Sequence, residues 1–172
     1  MSHPPKHPCG HRPLRPKELH VTAVGLDQTE FQLLQIARWF FTSYATPGTA
    51  WVRAFVEAED FFGRSDGPRY AYALLCVLQV MRRTRQSTFQ FSNPSCPDCA
   101  VILTEVERRL FQALANYRRG RIGHTQAEVM MLCEGNGCED MMVELQKLVE
   151  LLPDRIEHIT PLDASEGVVR YV

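Results

Sequence analysis

Four of the six cysteines stand at spacings that suit a tetrahedral metal ion. Cys96 and Cys99 form a C-x2-C pair, and Cys133 and Cys138 form a C-x4-C pair. Two thiolates from one turn and two from another complete the four-coordinate shell that zinc favours. Helical phase supports the spacing. Cys99 shares a stripe with Ile102, Leu103, Val106, Leu110, Leu114 and Tyr117. Cys133 follows Val129 and Met130 by one helical turn, and Cys138 precedes Met141 and Met142 by another. Each of these thiols therefore falls on the face expected to point inward. Between the second pair, Glu134-Gly135-Asn136-Gly137 tolerates positive φ and can fold back sharply. The pattern predicts a closed, structural zinc site at Cys96, Cys99, Cys133 and Cys138, with His124 as a substitute ligand. An iron–sulfur cluster takes the same number of thiolates and is the second cofactor expectation. The competing reading is that all four are small buried hydrophobes, as unpaired cysteines often are.

Cys96-Pro97-Asp98-Cys99 also suits thiol redox chemistry. A thiol at a helix N-terminus is more easily ionised, and Pro97 fits a first helical turn. The residues before it, Phe91-Ser92-Asn93-Pro94-Ser95, read as a loop rather than the strand a thioredoxin-like unit requires. Cys9 lies in His7-Pro8-Cys9-Gly10-His11, a cluster able to hold metal by itself or to be simply solvated. Cys76 falls in the most apolar segment and is expected in the core. The chain has no G-x-G-x-x-G, P-loop, H-E-x-x-H or E-x-x-H motif, so no enzyme signature competes with the cysteines.

The elements that must position these residues are helices. Asp27 and Glu30 have the spacing of a capping box, with Leu26 placed to staple against Phe31. The first helix then carries Leu33, Leu34, Ala37, Phe40, Phe41 and Tyr44 on one face. A second helix, opening at Pro47 or Thr49, carries Trp51, Ala54, Phe55, Ala58 and Phe62 and ends at Gly63. A third, capped by Asp66, runs to about Met81 and is apolar nearly all round, which predicts a central, buried helix. The fourth opens at Cys96 and ends at Gly120. The fifth starts at a Thr125–Glu128 capping box and stops at Gly135. The sixth runs from about Cys138 to Leu152, before Pro153. Leu19 to Val24 reads as a short edge strand, with Val168 to Val172 as its expected partner.

The result is an all-α domain of five to six packed helices over residues 19–153, with a short strand pair formed by the termini. Residues 1–18 read as a flexible Pro/His/basic arm and 154–172 as a tail. The arm has no apolar run, so it does not read as a signal peptide, and the expected compartment is the cytoplasm. There thiols stay reduced and six cysteines ask for another explanation, most simply metal. The net charge of −1 supplies no global attraction to nucleic acid or membrane. Residues 82–121 hold eight arginines against Asp98, Glu105 and Glu107, whereas 122–152 hold six acids against Lys147. The fifth and sixth helices loosely resemble a helix-turn-helix, yet Glu139, Asp140 and Glu144 on the would-be recognition helix repel phosphates. Together these features predict a small cytoplasmic interaction or regulatory protein, stabilised by zinc, with a protein partner. A thiol-redox or iron–sulfur sensor using Cys96 and Cys99 is the alternative, and an Arg-driven nucleic-acid binder the third.

Overall fold

Asp27 starts the first long helix as a reciprocal cap: its carboxylate accepts from the Glu30 N–H at 2.8 Å, and Glu30 accepts from the Asp27 N–H at 2.9 Å. This pairing satisfies donors that a helix start otherwise leaves open. The computed structural model describes residues 14–154. Within them lie β1 (Leu19–His20), α1 (Gln28–Ala45), α2 (Ala50–Thr84), α3 (Pro97–Ala100), β2 (Ile102–Leu103), α4 (Glu105–Arg118), α5 (Ile122–Leu132) and α6 (Cys138–Leu151). The expected all-α domain with a small strand pair is the architecture observed. No helix among the described residues is long and apolar enough to cross a membrane.

α1 packs on α2, α4 on α5, and α6 lies against α2 while touching α4 and α5. The shared core includes Leu33, Leu34, Ala37 and Phe40 of α1, Leu74, Val77, Leu78 and Met81 of α2, and Leu110, Phe111 and Leu114 of α4. Val129, Leu132, Met141, Leu145 and Leu148 complete it from α5 and α6. The second and third predicted helices are two arms of α2, broken where the sequence placed the break. Gly63 has φ 80° and ψ 166°, a conformation essentially reserved for glycine. Helix resumes directly after it, so Asp66 sits inside the second arm rather than capping it. The arms approach so closely that a Cβ on Gly67 would lie 2.3 Å from the Ala58 carbonyl oxygen. Cys76, expected in the core, is only half-buried on this arm.

The predicted fourth helix differs most. Its apolar stripe from Cys99 to Tyr117 is interrupted, because Ile102 and Leu103 leave the helix and pair antiparallel with His20 and Leu19. Leu19–His20 therefore finds its partner mid-chain; the expected partner, 168–172, lies outside the described residues. Thr104 then restarts the chain as α4, accepting from the Glu107 N–H at 3.2 Å while Glu107 accepts from the Thr104 N–H at 2.9 Å. Thr125 is not a cap either. It is buried inside α5, where its hydroxyl bonds the Arg121 and Ala113 carbonyls.

Candidate functional site

The C-x2-C turn is built by the residues on either side of it. Cys96 is extended and caps α3, and Pro97 occupies the first helical position. The N–H groups of Cys99 and Ala100 both bond the Cys96 carbonyl, at 3.0 and 2.8 Å. Both thiols are buried, with 4% and 6% of their residues' surfaces exposed. The backbone beyond them is clamped by Arg38 from α1. Arg38 donates to the Ala100 carbonyl at 2.6 Å and the Ile102 carbonyl at 2.7 Å, and its Nε donates to Glu107 at 2.7 Å. Glu107 also accepts from the Ser92 N–H at 3.2 Å. The Arg38 and Glu107 side chains are both fully buried. A buried charge is tolerated only when paired and hydrogen-bonded, and this pair is both. Sequence reasoning missed Arg38 and Glu107. The available signals were an arginine inside the apolar face of α1 and the T-x-x-E spacing of Thr104 and Glu107.

The second pair sits at the α5–α6 turn. Glu134, Gly135 and Gly137 all have positive φ, at 54°, 78° and 57°. Gly137 is required on a second ground: a Cβ there would lie 2.6 Å from the Thr84 methyl group. Cys133 is buried, with its Sγ 3.2 Å from the Met141 Sδ. Burial pushes the Cys133 thiol above its ordinary range, a nearby Thr84 hydroxyl opposes this, and Cys138 beside it adds to the rise. A thiol so shifted is a poor nucleophile and a reluctant metal ligand. Glu134 ties this turn to the end of α2, accepting from the Gln86 N–H at 2.8 Å and from the Ser87 hydroxyl. Those bonds, the Ser87 hydroxyl first, hold its carboxyl below the usual range.

The two pairs thus stand at opposite ends of the 86–95 segment, one anchored to it through Glu134 and the other through Glu107 and Asn93. Among the described residues no three His, Cys, Asp or Glu side chains are grouped closely enough to hold a metal ion. Cys96, Cys99, Cys133 and Cys138 are therefore not gathered into one shell, and His124, exposed on the first turn of α5, joins neither pair. The physical reason is the break at β2. A straight helix from Cys96 would have carried Cys99 along the α4 stripe, whereas the β1–β2 pairing sets α3 beside β1. α3 is also a single turn, so few aligned peptides act on the Cys96 thiol, and the redox reading loses that support. The arginine-rich stretch is largely engaged internally. Arg109 bonds Glu105 and Glu128, Arg118 bonds Asp27 and Glu30, and Arg119 bonds the Gly25 carbonyl.

A cleft of about 240 Å³ opens between the end of α1, the end of α2 and residues 87–91. Its floor is aromatic and aliphatic, formed by Phe41, Leu78, Met81, Phe89 and Phe91. Phe41 stacks on Phe89 with ring centroids 4.1 Å apart and meets Phe91 at 5.6 Å. Arg82 and Arg85 also line it; Arg85 is largely buried and bonds the Leu132 carbonyl and the Ser87 hydroxyl, so Arg82 is the exposed cation of the two. The exposed Arg82 guanidinium lies 4.8 Å over the Tyr44 ring, a favourable contact of a cation with a ring face. Burial raises the Tyr44 pKa, with Arg82 opposing, and its hydroxyl accepts from Gln79 at 3.0 Å. From sequence, Gln86 to Pro94 reads as a loop with a short strand through Phe89 and Phe91 as an option, and Arg82, Arg83 and Arg85 read as cations suited to a helix end. A run of cations next to alternating aromatics was the signal for the cleft. No protein-family model, curated protein or solved structure matches this chain.

Proposed function

We propose that this chain is an interaction or regulatory protein whose cleft receives an apolar side chain flanked by a carboxylate on a partner protein. The observation that carries this reading is the pairing of an aromatic floor with a cationic edge in one concavity. Burying one large apolar side chain contributes about 1.5–3 kcal/mol. A charge-assisted bond to an arginine adds roughly 1.5–3 kcal/mol and selects for acidic neighbours. The floor is assembled from α1, α2 and the 87–91 segment, so it exists only in the folded domain.

Fluorescence anisotropy of labelled acidic–aromatic peptides, such as an acetylated Asp-Phe-containing hexamer, tests the reading. The intact chain should prefer these peptides to Lys-Phe counterparts, and Arg82→Glu should reverse the preference. Binding should weaken with salt, because the edge is exposed. Equal binding of acidic and basic peptides, or no binding of either, would overturn the cleft as a docking site.

A further inference from the structure

We propose that the outer face of α5 is a self-association surface, on which a second copy of this chain docks with its own α5 antiparallel. A surface helix ordinarily turns apolar residues to the core and charged ones to water. α5 departs from that rule. Its inner side is Thr125, Val129 and Leu132, fully buried on the side where α5 packs on α4 and α6. Its opposite side carries Gly123, Gln126, Ala127, Met130 and Met131, all exposed and none charged. Met130 and Met131 each leave 57% of their surface open. Methionine is unbranched and adapts readily to an apolar partner, and covering such a face removes apolar surface from water.

Shape selects the occupant. Positions 123, 127 and 130 follow one another at intervals of four and three residues, so they form one line along the helix. The line grades from glycine through alanine to methionine. Two such lines laid antiparallel about a two-fold axis, between residues 126 and 127, set Met130 of each copy over Gly123 of the other. The two Ala127 methyls then meet beside the axis. Nothing lies within 4 Å of the place a Gly123 Cβ would take, so a methionine arriving from outside can settle there. A parallel pair would instead set Met130 against Met130 and leave a gap at Gly123.

Charge selects the same arrangement. Arg121, exposed, immediately precedes α5, and Glu139 and Asp140, exposed, open α6 just past the turn that closes α5. Glu134, at the same turn, is already bonded to Arg85 and Ser87. The 11 residues of α5 span about 16 Å. Antiparallel pairing therefore brings Arg121 of each copy level with the acidic turn of the other, and the helix dipoles also oppose favourably. One helix face is smaller than the roughly 800 Å² per partner that stable complexes bury, so the association is weak and depends on concentration. The cleft takes no lining residue from α5, so the dimer stands or falls apart from it.

Sedimentation velocity of the full chain between about 1 μM and 1 mM tests the dimer. The average mass should climb from one chain toward two and stop there. Ala127→Arg, at an exposed position, should hold the chain monomeric with its circular dichroism unchanged. Arg121→Glu in one chain, and Glu139→Lys with Asp140→Lys in another, should each weaken self-association about tenfold or more. Mixing those two variants should restore the dimer, since unlike charges then meet at both ends of an antiparallel pair. The mixture keeps the test open if Ala127→Arg loses the fold, because its substitutions are all at exposed residues. The proposal is overturned by a mass of one chain at every concentration, or by growth beyond two. It is overturned equally by association undisturbed in folded Ala127→Arg or in either charge variant, or by a mixture no more associated than its parts.

Discussion

At the α3 turn, a buried guanidinium holds the backbone carbonyls around Cys96 and Cys99. At the α5–α6 turn, Cys133 is held by contact of its own sulfur with Met141 and by left-handed residues closing the chain over Thr84. The first arrangement is polar and interdependent: Arg38 serves two carbonyls and Glu107, and Glu107 in turn serves Ser92 and the α4 cap. The second is steric and graded. Cysteines of similar burial therefore have different meanings. At the α3 turn the fixing falls on the backbone carbonyls, whereas at the α5–α6 turn it falls on the Cys133 sulfur itself.

The largest way to break this comparison is Arg38→Met. It leaves Glu107 buried without its cation and should cost about 3–5 kcal/mol, measured by urea unfolding. Adding Glu107→Leu should recover part of that loss, since replacing both partners is far less costly than stranding one. A single-variant cost under about 1 kcal/mol would mean that the clamp does not hold the α3 turn.

Gly137→Ala probes the steric side. The added methyl meets the Thr84 methyl at 2.6 Å, at a backbone φ of 57°. The expected loss is about 1–3 kcal/mol by thermal unfolding. In a Thr84→Ser background the steric part should vanish and only the backbone part remain. Identical losses in both backgrounds would place the strain elsewhere.

Cys133→Ser should cost about 1–3 kcal/mol, because it buries a hydroxyl where a sulfur packed. Cys138→Ser, at a half-buried position, should cost less. The pH dependence has a definite sign. The folded Cys133 pKa is raised, so the stability it supports is complete below the unfolded thiol pKa. That stability declines as pH climbs through the ordinary thiol range toward the folded value, because the unfolded thiol ionises first. Cys133→Ala should flatten that alkaline decline. A decline equally steep in the variant would assign it to another group.

The smallest effect is local. Glu134 has a depressed carboxyl pKa, so its bonds to Gln86 and Ser87 persist above the unfolded value and are lost as pH falls through the folded one. Hydrogen exchange at Gln86 and Ser87, corrected for intrinsic rates, should accelerate in acid. Exchange at Gln86 and Ser87 that does not change with pH would mean that these amides do not depend on the Glu134 carboxylate.

Local signals marked the helix starts that depend on neighbouring residues alone. Asp27 and Glu30 read correctly because a capping box closes within four residues, and Gly63 because its backbone conformation excludes other residue types. The α6 start at Cys138 was legible for the same reason, following the Gly135-Asn136-Gly137 turn. The Thr104 cap was equally local in spacing, yet an unbroken apolar stripe on both sides hid it. Periodicity cannot distinguish a continuous helix from one whose Ile102 and Leu103 are drawn into a strand by a partner more than eighty residues away.

What the sequence determined by itself was the all-α class, most helix boundaries and the residue types capable of binding metal, because these rest on short-range geometry and side-chain chemistry. How the two cysteine pairs are placed was decided only in three dimensions. The β1–β2 pairing set α3 beside β1, Arg38 and Glu107 fixed the backbone there, and Thr84 and Met141 enclosed Cys133 at the far end of the 86–95 segment. The physical reason is that ligand spacing along a chain sets only what can meet. Long-range pairing and the need to satisfy a buried charge decide what does.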